Sequence, residues 1–169
     1  EDIKVAIWQF KFSLVPASGI RRIHGSDVGV LREYQVTERS AKPTEIAEMT
    51  NYWDGSGSLR QLALAFSGIL PEIKSWSDEA RMFGDDESNK IEVWDDDVNC
   101  YIDARIFSDD LMNWIIKLAR KFECKLVIHG SGLIIDPDFG ILIDQIKDST
   151  AYKFCLNPVE FLKGMDRPQ

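Results

Sequence analysis

The spacing of hydrophobic and polar positions changes several times along this chain, which predicts a mixture of strands and helices. Residues 3–15 alternate apolar and polar side chains and are rich in Val, Ile, Phe and Trp, which is typical of a long strand. Residues 80–84, 90–94 and 98–107 predict three more strands, joined by tight acidic turns at 85–89 and 95–97. In the last strand the apolar series from Val98 to Ile106 alternates with the polar series from Asn99 to Arg105, so the two series are expected on opposite faces.

Helical spacing replaces this alternation in several segments. Residues 58–70 and 108–123 carry apolar side chains at helical intervals, and the second begins with a Ser cap followed by two acids, which suit the positive end of a helix dipole. Shorter helices are predicted at 44–49, 137–147 and 157–162, and two more strands at 124–129 and 132–136. Between them, residues 16–43 predict a loop with one short strand over 28–36. This order indicates an α+β fold, a single domain over residues 1–169 with a largely antiparallel sheet packed by helices.

Length and composition limit the classes of protein to which the chain can belong. Its 169 residues, 44% of them hydrophobic, suffice for one core. No apolar run approaches the roughly 18 residues that span a bilayer, so no membrane association is expected. A net charge of −8 disfavours direct contact with nucleic acid or an anionic membrane surface.

The charge is concentrated in one stretch of the chain. Residues 78–110 hold twelve acids and three bases, a balance of −9, whereas the rest of the chain has a balance of +1. These 33 residues therefore account for the whole net charge. A concentrated patch of carboxylates steers a positively charged protein towards it.

No motif for catalysis or metal binding emerges from the residues. The acids from Asp85 onward lack the spacing of a calcium loop, because the sixth position is Lys90 where glycine is required. Neither His24 nor His129 has a nucleophile at a motif spacing. Pro137-Asp138 could begin the pattern of a metal-dependent nuclease, but no Glu-x-Lys follows on a neighbouring strand. We therefore predict no catalytic residues, no metal ligands and no cofactor.

The three cysteines are widely spaced and form no CxxC pair. Isolated cysteines among apolar residues are typical of buried thiols, which fits a reducing compartment. The expected location is the cytoplasm.

Tryptophan and tyrosine near the acids supply the second half of a candidate interface. The chain has five Trp residues, and aromatic side chains beside charged rims are typical of protein-binding hot spots. Most tryptophans in proteins are largely buried, so a core role is the competing interpretation. The predicted partner-binding residues are Trp76, Asp85, Asp86, Glu87, Trp94, Asp95, Asp96, Asp97, Tyr101 and Asp103.

Four short segments carry a resemblance to known proteins. They are residues 69–77 (ILPEIKSWS), 83–85 (FGD), 102–105 (IDAR) and 157–162 (NPVEFL). Between residues 69 and 163 the chain resembles small bacterial proteins that are similar to immunity proteins of polymorphic or contact-dependent toxin systems. This resemblance implies a binding protein and transfers no catalytic residue.

The leading hypothesis is that the chain is an immunity protein, which binds a basic, nuclease-like toxin domain through its acidic surface and neutralises it. One alternative is a small enzyme whose dispersed carboxylates meet in a pocket. Another is a housekeeping protein-interaction module. A pocket lined by two acids and a histidine would favour the enzyme.

Overall fold

The structure, a computed structural model, describes residues 6–35 and 50–165. Within these ranges the chain forms helices and an antiparallel sheet, so the predicted α+β class is confirmed. The strands are β1 (Gln9–Pro16), β2 (Glu72–Ile73), β3 (Ala80–Gly84), β4 (Lys90–Trp94), β5 (Val98–Asp103), β6 (Cys124–Ile128) and β7 (Ile134–Ile135). The helices are α1 (Ala17–His24), α2 (Leu59–Ser67), α3 (Asp109–Lys121), α4 (Phe139–Asp148), α5 (Thr150–Leu156) and α6 (Pro158–Met165), with a 3-10 helix at Arg32–Tyr34.

The described strands form a seven-stranded sheet in the order β2-β3-β4-β5-β1-β6-β7, and every neighbouring pair is antiparallel. The predicted acidic meander is present as β3, β4 and β5. Strand β1 lies between β5 and β6, where Phe12 pairs with Cys100 on one side and Ile128 on the other. The first described strand thus joins the acidic meander to the C-terminal half of the chain.

One face of the sheet carries the main hydrophobic core. Alternate residues of the central strands, such as Phe12, Cys100 and Leu126, are fully or almost fully buried there. Helices α2, α3 and α4 cover this face with side chains at helical spacing, among them Phe66 and Ile115. Burial of this continuous apolar surface is the dominant stabilising contribution.

A smaller apolar cluster lies apart from the main core. Val15 of β1 and Val127 of β6 pack there with Ile20 of α1, and three side chains from the connecting segments complete the cluster: Leu31, Tyr34 and Tyr52. The remainder of this sheet face is polar and includes the buried side chains of Ser13, Lys90, Glu92 and Asn99.

The main difference from the sequence prediction is helix α1, which replaces the first part of the predicted loop. Its three basic residues lie in the last turn, where positive charge interacts favourably with the helix dipole. Gly25 ends the helix with a left-handed φ of 76°. Gly19 lies in the same helix, and glycine is required there because the backbone of Tyr52 passes so close that a Cβ would overlap its carbonyl oxygen. Gly19 therefore serves packing and Gly25 serves helix termination, whereas glycine spacing alone in this segment is typical of a loop.

The predicted strand over 28–36 is reduced to a single bridge. Val30 pairs with Leu133, and the 3-10 helix follows at once. The predicted helix at 44–49 and the start of the predicted first strand lie outside the described residues. Strand β1 begins only at Gln9, whose backbone N–H donates to the carbonyl of Ala6 (2.9 Å) and closes a turn before it.

Several element boundaries also differ from prediction. Strand β5 ends at Asp103 because the Asp103 carboxylate accepts a hydrogen bond from the backbone N–H of Arg105 (2.9 Å), which turns the chain. Helix α4 begins after Asp138, whose side chain caps it by accepting from the N–H of Ile141. Strand β2 and helix α5 were not predicted, and α5 is capped in the same way by Ser149.

Candidate protein-binding surfaces

The first acidic turn, residues 85–89, connects β3 to β4 and is fastened to the start of β1. The indole of Trp8 donates a hydrogen bond to the backbone carbonyl of Glu87 (2.8 Å), and the side-chain amide of Gln9 donates to the backbone carbonyl of Ser88 (2.6 Å). The side chains of Asp85, Asp86 and Glu87 are exposed. The backbone of this turn is thus held in place while its carboxylates face solvent.

Asp103 lies beneath this turn and is completely buried. Its carboxylate accepts hydrogen bonds from the hydroxyl of Ser88 (3.0 Å) and from the guanidinium of Arg105 (2.8 and 3.0 Å). Arg105 also donates to the carbonyl of Glu87 (3.0 Å) and stacks 4.2 Å above the Trp8 ring. Burial alone would raise the pKa of Asp103, but the hydrogen bonds from Arg105 and Ser88 outweigh it and lower that pKa.

The sequence hypothesis places Asp103 on a partner-facing surface, together with Tyr101. In the structure Asp103 anchors the 85–89 turn from below, and Tyr101 is 2% exposed. Their side chains therefore support the surface from inside, and direct contact with a partner would require them to become exposed.

The second acidic turn, residues 95–97, divides its carboxylates between solvent and interior. Asp95 and Asp96 are exposed, whereas Asp97 turns inward, where its carboxylate accepts from the hydroxyl of Tyr34 (3.3 Å) and the N–H of Val98 (3.0 Å). Burial raises the pKa of Asp97 to about 6, against the opposing effect of the charge on Lys11. Only two of the three acids in this turn are therefore placed to meet a partner.

The two turns lie at opposite ends of β4. That strand has five residues, with the 85–89 turn before Lys90 and the 95–97 turn after Trp94. At about 3.3 Å per residue, the turns are separated by roughly 13 Å or more. The acidic stretch of the sequence is therefore two separate acidic surfaces.

A pair of tryptophans marks the surface at the second turn. The rings of Trp76 and Trp94 are 5.2 Å apart between centroids and tilted by 57°, and Trp76 remains 52% exposed. Because Ala80 pairs with Trp94, the exposed residues Asp78 and Glu79 extend from the same end of the sheet as Asp95 and Asp96. We call these six residues the tryptophan surface: Trp76, Asp78, Glu79, Trp94, Asp95 and Asp96.

The polar face of the sheet contains a buried ion pair that the sequence pattern did not single out. Lys90 and Glu92 on β4 are 5% and 1% exposed, and their charged atoms are 3.3 Å apart. The hydroxyl of Tyr101 donates to the other carboxylate oxygen of Glu92 (2.9 Å), and Lys90 also pairs with Asp86 (3.2 Å). Their alternation with Ile91 and Val93 indicated the shared face, but nothing in that alternation indicated burial.

Ser13, Asn99 and His129 form a second polar group on this face. The Ser13 hydroxyl donates to Asn99 Oδ1 (2.6 Å), and its oxygen lies 2.7 Å from His129 Nε2. Burial lowers the pKa of His129 well below its usual value, so the ring is neutral. Because the Ser13 proton is directed to Asn99, the histidine donates from Nε2 to Ser13, and this arrangement does not activate the serine as a nucleophile.

The described residues contain neither a cluster of potential metal ligands nor a membrane-spanning helix. Across 6–35 and 50–165, no three His, Cys, Asp or Glu side chains are grouped so as to hold a metal ion. No helix in the same ranges has the length and apolar character needed to cross a membrane.

Comparison with known proteins gave no relative from which a role could be inferred. No protein-family model, no curated protein and no solved structure matches the chain.

Proposed function

We propose that this protein binds a basic protein domain through the tryptophan surface and that it acts as an immunity protein, neutralising a bacterial toxin domain. The observation that carries the proposal is the Trp76–Trp94 pair, of which Trp76 is exposed and Trp94 is half-buried, with four exposed carboxylates at the same end of the sheet. Tryptophan is enriched among residues that dominate binding energy, and such residues have a polar rim around them. The surface combines both parts.

Charge complementarity supports a basic partner. Asp95 and Asp96 occupy a turn whose backbone is fixed by hydrogen bonds to Asp97, so binding does not have to order the backbone that presents their carboxylates. Acids at the rim accelerate association with a positively charged protein, whereas the buried aromatic contact limits dissociation. A toxin that acts on nucleic acid presents a positive cleft of the kind that this surface would attract.

The proposal is tested by comparing three variants in affinity capture from a lysate of the native organism. Trp76→Ala removes the aromatic contact, and the double variant Asp95→Lys with Asp96→Lys reverses the charge of two acids on the rim. Val159→Ala is the matched control, because Val159 is an exposed apolar residue on α6. We expect one basic protein to be retained by the wild type and the control and lost from both surface variants.

The captured protein is then purified and its binding measured. Trp76→Ala is expected to raise the Kd at least about tenfold, mainly through faster dissociation. The double reversal is expected to slow association, with an effect that shrinks as salt is raised. Equal affinities for all variants would remove the tryptophan surface from the mechanism.

Growth of cells that express the captured protein tests the immunity role separately. Co-expression of the wild-type chain is expected to restore growth, and Trp76→Ala to restore it less. A captured partner that is harmless to cells would leave the binding proposal standing and overturn the toxin-inhibitor role.

The enzyme alternative receives little support from the described cavities. A cavity of about 150 Å³ between α1 and β6 includes Asp27 and Asp136 in its lining, but Lys125 already forms an ion pair with Asp136 and no histidine lines this cavity in the described chain. The two-acid and histidine arrangement that would favour an enzyme is not formed there.

A further inference from the structure

A groove at the other acidic turn is separate from the tryptophan surface. It has a volume of about 320 Å³ and lies between the end of α2, the 85–89 turn and the start of α3. Its apolar lining consists of Ile69, Leu70, Leu111 and Trp114, and Trp114 is 41% exposed. The volume is within the range of clefts that hold a ligand group or a single anchoring side chain.

The polar residues of the groove are largely committed to the fold. The side-chain oxygen of Asn89 accepts from the backbone N–H of Asp103 (2.8 Å), and the Ser108 hydroxyl oxygen accepts from the N–H of Leu111 at the start of α3 (3.3 Å). Asp110, by contrast, is exposed and forms no hydrogen bond or ion pair with another described residue. A ligand in this groove therefore meets apolar carbon and one available carboxylate.

Exposed carboxylates outnumber exposed basic side chains around the groove. Asp109 is exposed next to Asp110, and the exposed Asp85 and Glu87 belong to the turn that contributes Asn89. On the other side, Lys117 lies 5.7 Å from the centroid of the Trp114 ring, so the far wall of the groove is less acidic than the turn. The acids at the start of α3 also stabilise that helix, but this role leaves their outer oxygens open to a cation.

We infer that this groove binds a peptide segment in which one large apolar side chain is flanked by Lys or Arg, carried by a basic protein. The apolar side chain fills the space between Leu70, Leu111 and Trp114. The flanking cations reach Asp110 on one side and the 85–89 turn on the other. Anionic lipid is disfavoured by the same carboxylates, and a purely apolar ligand would leave them without partners.

Labelled synthetic peptides test the inference without knowledge of the natural partner. The probe has a single Trp or Leu between two pairs of Arg, and the comparison peptides carry Ala in place of the apolar residue or Glu in place of Arg. Fluorescence anisotropy is expected to show saturable binding of the probe, at least about tenfold weaker binding of the Ala peptide, and none of the Glu peptide. Equal binding of the probe and the Ala peptide would indicate attraction by charge alone and overturn the site.

Variants locate the binding on the protein. Trp114→Ala and Asp110→Asn are each expected to weaken binding of the probe peptide severalfold, and circular dichroism checks that the fold is retained. Asp144→Asn, an exposed acid on α4, is the charge control. Binding that survives both groove variants would overturn the assignment.

Two further measurements separate this site from other possibilities. Trp76→Ala is expected to leave peptide binding unchanged, so failure of the groove and failure of the tryptophan surface are independent results. Sedimentation of the free protein that showed self-association, abolished by Trp114→Ala, would assign the groove to a second copy of this chain and overturn the peptide proposal.

Discussion

The guanidinium of Arg105 makes two hydrogen bonds to the carboxylate of Asp103, 3.0 Å from Nε to Oδ1 and 2.8 Å from Nη2 to Oδ2. Asp103 has no exposed surface, whereas Arg105 is 44% exposed and covers it. The pair lies two residues apart across the end of β5 and ties that end to the 85–89 turn through Ser88. An ion pair that would be weak on an open surface is here part of a network that shapes a loop.

Asp103→Asn is therefore expected to lower the free energy of unfolding by about 1 to 2 kcal/mol at neutral pH, because it removes charge-assisted hydrogen bonds from a buried acceptor. Urea denaturation measures the change, with Asp144→Asn as a surface control. The pKa of Asp103 is lowered in the folded state, so the stability it contributes is present above the ordinary carboxylate pKa and is lost as the pH falls through the lowered value. A variant as stable as wild type at pH 7 would contradict the network.

Asp97→Asn is expected to raise the free energy of unfolding at neutral pH, which is the opposite of the effect expected for Asp103→Asn. The folded-state pKa of Asp97 is raised to about 6, so between pH 4 and 6 the folded protein holds a proton that the unfolded chain releases, and stability falls as pH rises through this window. Asparagine keeps an acceptor for Tyr34 without the charge. The variant is expected to gain only about 1 kcal/mol over wild type at pH 7, because solvent reaches part of Asp97 and screens its charge, and to match wild type near pH 4.

Thermal unfolding of both proteins at several pH values tests this expectation. The difference in stability should appear only as the pH rises from about 4 to about 6. A constant difference across the whole range would indicate a packing effect instead of a titration.

Lys90→Met is expected to destabilise the protein by about 3 kcal/mol, because it leaves the carboxylate of Glu92 buried without its cation. Adding Glu92→Gln removes the remaining charge while the hydroxyl of Tyr101 keeps an acceptor. The double variant should recover more than half of the loss, as a double-mutant cycle in denaturant would show. Additive losses would contradict direct coupling between the two side chains.

Gly19→Ala tests the close approach of α1 to the segment that precedes α2. The added methyl group would overlap the backbone carbonyl of Tyr52, which cannot rotate away as a side chain can. We expect a loss of about 2 kcal/mol, which outweighs the roughly 1 kcal/mol that alanine contributes in a helix. Gly29→Ala is the matched control, since a Cβ there meets nothing within 4 Å, and it should change the melting temperature little.

The sequence was most informative where one local rule determined the structure. Alternation correctly divided β5 into a core face and a polar face, and the Ser108 cap with two following acids marked the start of α3. Helix α1 escaped prediction because the features that define it are tertiary. Its glycine is required by contact with Tyr52, thirty-three positions away in the chain, and is indistinguishable from a loop glycine in the sequence.

The separation of the two acidic turns was predictable in principle. Successive turns of an antiparallel meander alternate between the ends of the sheet, so turns on either side of β4 had to lie apart. The inward rotation of Asp97 and the burial of Lys90 and Glu92 had no such signal. Both depend on which segments pack against the polar face of the sheet.

The length of β4 has an electrostatic consequence. Its roughly 13 Å exceeds the screening length of about 8 Å at physiological ionic strength, so a charged molecule near one turn barely senses the other. At about 0.01 M salt, where screening extends to about 30 Å, the two turns merge into one negative pole. The protein thus presents two separate negative surfaces at physiological ionic strength and a single negative surface at low salt. Association rates measured in dilute buffer therefore do not describe the electrostatic attraction that acts in a cell.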